Sequence, residues 1–174
     1  MAQTYTSKAT SINRSKLPAV YRKATLTARN VFDYGCGRYT EHIRQYVESL
    51  GKRYFPYDPY NQPPMDNAET DELVTMLLDN YVPVDMVCSN VLNVIDDEDE
   101  IRYIANGATS VVVKGGGTAY FTVYEGDRSG VGRRTGEDQY QRNEPLKSYL
   151  RFFDGNPKVS VKVEKGMIVV RKVG

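Results

Sequence analysis

The 174-residue chain predicts a single α/β domain on a mostly parallel sheet that ends in an antiparallel hairpin. Two observations carry that expectation. Short β-branched and aromatic runs alternate with segments whose apolar residues recur at helical spacing. Such alternation requires crossovers that lay helices on both faces of a parallel sheet. The last fifteen ordered-looking residues, "VSVKVEKGMIVVRKV", instead read as two strands joined by a tight turn at Glu164-Lys165-Gly166.

Residues 1–12 are polar, rich in Ser and Thr and without period, and are expected to be a mobile tail preceding one domain over 13–174. "RSKLPAVYRKATLTA" reads as an extended approach and a short helix, limited by Pro18. "NVFDYGC" is a buried strand ended by glycine. "TEHIRQYVESLG" is a helix with Ile43, Tyr46, Val47 and Leu50 inward and Gly51 as its stop. "KRYFPYDPYN" is a second strand that breaks at Asp58-Pro59. A proline-rich loop, "NQPPMDN", leads into the helix "AETDELVTMLLDNY", with Leu73, Met76 and Leu77 inward. "VPVDMVCSNVLNVI" supplies the third strand and its exit. "DDEDEIRYIANGA" is an acid-led helix, and a triple glycine precedes the strand in "TAYFTVYEGD". A polar loop, "RSGVGRRTGEDQYQRNEP", and a short helix, "LKSYLRFF", complete the order.

Composition removes several classes of function. With 23 basic and 22 acidic residues the net charge is +1, so no global field marks a nucleic-acid or membrane binder. Cys36 and Cys88 lie in apolar, strand-like contexts that suit reduced thiols, and with a single His they make no metal-ligand set. No apolar leader core and no spanning run is present, so a soluble cytoplasmic protein without a membrane partner is expected. His42 and Cys36 read as a surface residue and a small buried residue rather than as a base and a nucleophile.

The informative stretch is "VFDYGCGRYT". In an open parallel sheet, ligands bind at the carboxyl ends of strands near the point where strand order reverses, and the first strand ends there. Gly35 and Gly37 allow close approach of backbone to a ligand, and the helix starting near Thr40 aims its positive end at the same place. Asp58 follows at the end of strand two, about 20 residues on, where an acid accepts hydrogen bonds from ribose hydroxyls. A dinucleotide loop carries a third glycine where Tyr39 stands here, and Asp33 adds a negative charge that suits an ammonium and repels phosphates. An aminoacyl-nucleoside fits better than NAD, and S-adenosylmethionine has that composition. Its adenine is expected to be held by stacking, for which Tyr57 and Tyr60 are available, or by a polar group from the loop around Asp66 and Asn67.

The wording of these motifs resembles class I S-adenosylmethionine-dependent methyltransferases. "VFDYGCG" is similar to their first motif, "YDPY" to their second, "VDMVCSNVLNVI" to their fourth and "VVVKGGGTAYFTVYE" to their late glycine turn and strand. "DYGCGR…YDPY…VLNVI", with Arg102 soon after, most resembles the methyltransferase group associated with DNA phosphorothioation, over roughly residues 13–145. The resemblance implies a Rossmann-like methyltransferase sheet, S-adenosylmethionine as cofactor, and cofactor contacts at Asp33, Tyr34, Gly35, Cys36, Gly37, Tyr57, Asp58, Pro59, Tyr60, Asn90 and Val91. Only one helix separates strand two from "VDMVCSN", so one strand-helix unit of that sheet is expected to be missing.

The acceptor side is read more coarsely. Arg128, Arg133, Arg134, Tyr140 and Arg142 follow the last parallel strand on the same rim and could bind an anionic or nucleic-acid substrate, or form only a solvated loop. Asp127, or else Glu125, is the candidate base. Ser15, Lys16 and Tyr21 are placed to cover a methionine carboxylate if the N-terminal segment folds over the site. "SNVL" stands where DNA amino-methylating enzymes carry Asn/Asp-Pro-Pro-Tyr/Phe, which argues against methylation of a flipped base. The expected activity is methyl transfer to an unknown acceptor; the alternatives are a cofactor-binding regulator or partner subunit, and a nucleic-acid binding module.

Overall fold

A computed structural model describes residues 3–153 and 155–174. Its strands are β1 (Asn30–Tyr34), β2 (Arg53–Tyr57), β3 (Val84–Ser89), β4 (Ala119–Thr122), β5 (Arg133–Gly136), β6 (Gln139–Gln141), β7 (Val159–Glu164) and β8 (Met167–Lys172). Its α-helices are α1 (Ala19–Lys23), α2 (Glu41–Ser49), α3 (Pro64–Asp79) and α4 (Glu98–Gly115), with 3-10 turns at Lys8–Thr10, Leu92–Val94 and Leu146–Phe152. Six strands form one sheet in the order β2-β1-β3-β4-β8-β7. β1 to β4 run parallel and the β7–β8 hairpin adds an antiparallel edge, a mixed α/β fold of Rossmann-like kind.

Burial on both faces follows from the pleat. Val31, Val87, Tyr120 and Val169 pack with Val20, Ile43 and Val47 of α1 and α2. The intervening residues, Met86, Cys88, Ala119, Phe121, Ile168 and Val170, pack with α3, α4 and the Leu146–Phe152 turn. Successive strand residues point to opposite faces, so both faces must be apolar when both carry helices. The sheet grows outward from β1 to β2 and then returns to place β3 on the far side of β1. That reversal puts the switch point between β1 and β3, at their carboxyl ends.

Several elements differ in detail from the sequence expectation. α3 starts at Pro64, inside the presumed loop, and its buried face is Asn67, Thr70, Val74 and Leu78. Met76 is exposed, while Leu73 and Leu77 are only partly buried. Leu50 is also exposed. α4 continues through Ser110-Val111-Val112-Val113, a run of strand-like composition, because Val111 and Val112 extend its buried stripe. The arginine-rich loop contains the small antiparallel pair β5–β6, and the short helix after it is of the 3-10 kind.

The amino ends of the strands are tied together by a buried carboxylate. Asp85 is fully buried; its Oδ2 accepts the N–H groups of Thr27 at 2.8 Å and Ala28 at 2.9 Å, and its Oδ1 accepts that of Thr118 at 2.9 Å. It thereby fixes the chain entering β1 against the chain entering β4. The triple glycine lies at this end too, not at the ligand end. A Cβ on Gly117 would sit 2.0 Å from the carbonyl oxygen of Val84, so only glycine lets that turn pass β3.

Candidate ligand site at the carboxyl ends of β1, β2 and β3

A cavity of about 310 Å³ opens at the switch point. The loop after β1 contributes Gly35, Cys36 and Gly37, the end of β2 contributes Asp58, Pro59, Tyr60 and Asn61, and the exit of β3 contributes Ser89, Asn90 and Val91. Asp33 and Tyr34 line it from β1, and Glu100 and Ile104 from α4. Of the eleven residues expected around a cofactor, ten thus line one cavity. Tyr57 does not: its ring stacks on Tyr34 at 5.2 Å, and it serves the loop through its backbone carbonyl.

The glycine loop is held by the protein itself. The Tyr57 carbonyl accepts the N–H groups of Gly35 at 2.7 Å and Cys36 at 3.2 Å. Asp58 Oδ2 accepts that of Gly37 at 2.9 Å, and Ser11 Oγ accepts that of Arg38 at 2.8 Å. Four successive amides are therefore already bonded. Gly35 has φ +76°, and a Cβ there would lie 2.2 Å from Val91 Cγ2, so glycine lets the loop pass beneath the β3 exit.

Asp58 braces the loop as well as facing the cavity. Besides Gly37 it accepts the N–H groups of Tyr60 at 3.0 Å and Asn61 at 3.1 Å, and the Asn61 side-chain amide at 3.1 Å. These four donors fill a carboxylate's usual capacity. The Asn61 amide is the only side-chain donor of the four. Asn61 Oδ1 is itself buried without a partner among the described residues.

Asp33 is buried, and its Oδ2 accepts the hydroxyls of Tyr21 at 2.9 Å and Tyr54 at 2.6 Å. Burial pushes its carboxyl up from 3.8 to about 6, against the hydrogen bonds of Tyr54 and Tyr21, and the charge of Asp58 adds to the rise. Burial and the nearby Asp33 raise both phenols, so they remain donors. Burial, with Asp33 and Asp58, also raises the Cys36 thiol strongly, which keeps it from being a nucleophile.

Residues 3–14 do not lie apart from this site as a tail; they cross its mouth as a strap. Thr4 N–H donates to Asp96 Oδ1 at 3.0 Å, and Thr6 N–H to Asp138 Oδ1 at 3.0 Å, with the Thr6 hydroxyl on Asp138 Oδ2. Ser7 N–H donates to the Asp138 carbonyl at 2.8 Å, and the ring of Tyr5 stacks on Tyr140 at 5.6 Å. At the other end the Arg14 guanidinium donates to the Tyr39 hydroxyl at 2.8 Å and covers its ring at 4.2 Å. Gln3, Thr6, Ser7, Thr10, Ser11 and Asn13 consequently line the cavity, whereas Ser15 and Lys16 do not. Tyr21 is committed to Asp33. Tyr39 packs against Arg14.

The acceptor-side expectations are corrected. None of Arg128, Arg133, Arg134 and Tyr140 lines the cavity. Arg133 pairs with Asp127 at 3.5 Å, Arg128 with Glu125 at 3.6 Å, and Arg134 donates to the carbonyls of Gly136 and Glu137. Arg142 is buried and bonded to Glu144 at 2.7 Å and to the Ile95 carbonyl at 3.0 Å, a structural role. The hairpin instead anchors the strap through Asp138 and Tyr140. Asp127 is exposed, where it accepts the Ser129 N–H, and it is not among the cavity lining; Glu125 holds the Leu146 N–H at 2.7 Å. Neither is placed as a base. Asn93 is buried, its side-chain amide donating to Gln141 Oε1 at 3.1 Å, and Arg102 lies over Phe152. Asn90 adopts φ +56°, a conformation uncommon outside glycine, and stands exposed at the cavity edge.

Glu100 was not singled out by sequence reading. Its only signal is its place in the first turn of α4, which an acid also occupies for helix-dipole reasons. Among the described residues no group of three His, Cys, Asp or Glu could hold a metal ion, and no helix is long and apolar enough to cross a membrane. No family model and no curated protein matches the chain.

Proposed function

We propose that the protein is an S-adenosylmethionine-dependent methyltransferase whose acceptor is a small molecule or is related to nucleic acid. The observation that carries this reading is the charge of the cavity: three carboxylates, Asp33, Asp58 and Glu100, and no Lys, Arg or His among the described lining residues. A pyrophosphate meets only negative charge there, and the amides of the glycine loop are already used. A ligand bearing an ammonium and a sulfonium is complemented by the same charges.

The ammonium sits at Asp33, whose Oδ1 has no donor among the described residues. The ribose exchanges with the Asn61 amide on Asp58, and Asn61 Oδ1 gains a hydroxyl donor. The Ser11 hydroxyl, which accepts the Arg38 N–H and keeps its own proton, and the second N–H of the Asn13 amide are the strap donors left for the methionine carboxylate. Asn90 and Val91 border the place where an acceptor approaches. Bound S-adenosylmethionine supplies an electrophilic methyl group, so the chain's share is positioning and exclusion of water, an effect worth several kcal/mol. A sheet ending at β2, with α3 leading straight to β3, fits a class I methyltransferase short of one strand-helix unit.

Incubation with methyl-labelled S-adenosylmethionine and cell extract, counting small molecules, protein and nucleic acid separately, tests the transferase reading. Label is expected in one fraction and absent with Asp58→Ala. Binding of S-adenosylhomocysteine with no transfer to any fraction would replace the enzyme by a cofactor-binding regulator or partner subunit.

A further inference from the structure

Asn67 is buried on α3 and does not line the cavity. Its side-chain amide takes both backbone groups of Asp58: Oδ1 accepts the Asp58 N–H at 3.0 Å, and Nδ2 donates to the Asp58 carbonyl at 2.9 Å. β2, which Asp58 follows, is the outermost strand of the sheet on this side, so no further strand supplies those partners. A side-chain amide carries the donor and acceptor of a peptide group and stands in for one. The bonds continue as a closed ring. Asn67 Nδ2 also donates to the Gln62 carbonyl at 3.4 Å, Gln62 Nε2 donates to the Gly37 carbonyl at 2.8 Å, and the Gly37 N–H returns to Asp58 Oδ2 at 2.9 Å.

The ring holds the carboxylate as well as the main chain. Tyr60 and Asn61, whose N–H groups donate to Asp58 Oδ1, belong to the loop that Asn67 closes. A fully satisfied buried network keeps its members in one arrangement, and a network missing a member does not. Resting on the S-adenosylmethionine reading, in which Asp58 receives the ribose hydroxyls, we infer that Asn67 is the positioning residue for ribose recognition. It aims the carboxylate without touching the ligand. A role confined to tying α3 to β2 would alter stability and act on every ligand alike. A role in aiming Asp58 alters only the part of the affinity that the ribose hydroxyls supply.

Calorimetric titration of the full chain with S-adenosylhomocysteine, and with its analogue lacking both ribose hydroxyls, separates the two. The parent protein is expected to prefer S-adenosylhomocysteine by roughly 100-fold, as a site built to bond a hydroxyl rejects a ligand without it. Asn67→Ala should weaken S-adenosylhomocysteine about tenfold and leave the analogue nearly unchanged, which narrows the preference to about tenfold. Asn67→Asp keeps the size of the side chain and an acceptor for the Asp58 N–H but offers no donor to the two carbonyls. It is expected to narrow the preference in the same way, and it serves where the alanine variant does not fold. A preference that stays near the parental value in a folded variant, or equal weakening of both ligands, would overturn the role of Asn67 and leave the cofactor reading in place. Equal affinity of the parent for both ligands would remove the ribose role of Asp58 and with it that of Asn67, while failure of the parent to bind either would remove the cofactor reading itself.

Discussion

Asp33→Asn is expected to make the protein more stable at pH 7 and worse at binding S-adenosylhomocysteine. The carboxyl titrates at about 6 in the folded protein because burial opposes its charge, against an ordinary value of 3.8. Between those two values the folded chain keeps a proton that the unfolded chain has lost. The stabilising contribution is therefore complete below 3.8 and is lost as pH rises through 6. A shift of this size corresponds to about 2–3 kcal/mol. The other groups facing Asp33 are Tyr21, Tyr54, Cys36 and Asp58; burial keeps the first three neutral, so only Asp58 adds charge. Thermal melts of parent and variant should differ little near pH 4 and increasingly up to pH 7. Affinity should move the other way, falling roughly ten- to a hundredfold in the variant as an ammonium loses a charged partner worth about 1–3 kcal/mol. A variant that is destabilised at pH 7, or that binds as well as the parent, would make Asp33 a structural residue only.

Asp85→Ala carries the largest expected loss of stability. Removing the carboxylate strands the N–H groups of Thr27, Ala28 and Thr118, which it accepts at 2.8 to 2.9 Å at the amino ends of β1 and β4. A buried donor left without a partner costs about 1–3 kcal/mol, so a loss of about 3 kcal/mol or more is expected in urea denaturation. Asp85→Asn retains acceptors for part of the set and should cost less. The ligand site lies at the opposite ends of the strands, so folded Asp85→Asn should bind S-adenosylhomocysteine with near-parental affinity. A loss below about 1 kcal/mol in the alanine variant would show that water replaces the clamp.

The order of the parallel strands β1 to β4 and their helices was legible because each of these strands is a short, largely apolar run between turn residues, as a sheet covered on both faces requires. The polar β5 and β6 carried no such signal. The glycine loop was legible for a local reason: Asp33, Gly35, Gly37 and Asp58 are spaced as the turn and the neighbouring strand end require. What failed was set by distant partners. α3 buries Thr70, whose hydroxyl bonds the Pro56 carbonyl at 2.8 Å, and Asn67, which brackets Asp58 through its N–H and carbonyl. Polar residues that serve an edge strand cannot be distinguished from solvent-facing ones by periodicity, so the inward face was placed on Leu73, Met76 and Leu77. The strap has a composition that reads as disorder, yet its anchors Asp96 and Asp138 lie 92 and 132 residues away in sequence. The arginines of the β5–β6 region suggested an anion site, but their acidic and carbonyl partners lie mostly within a few residues and leave the cavity to carboxylates.

The central claim is that this cavity takes an aminoacyl-nucleoside and not a dinucleotide. Calorimetry at pH 7 with S-adenosylhomocysteine and with NAD, each titrated into the parent protein, addresses it most directly. One equivalent of S-adenosylhomocysteine should bind, with affinity that drops in Asp33→Asn, and NAD should give no saturable heat. Saturable binding of NAD with S-adenosylhomocysteine ignored would contradict the account.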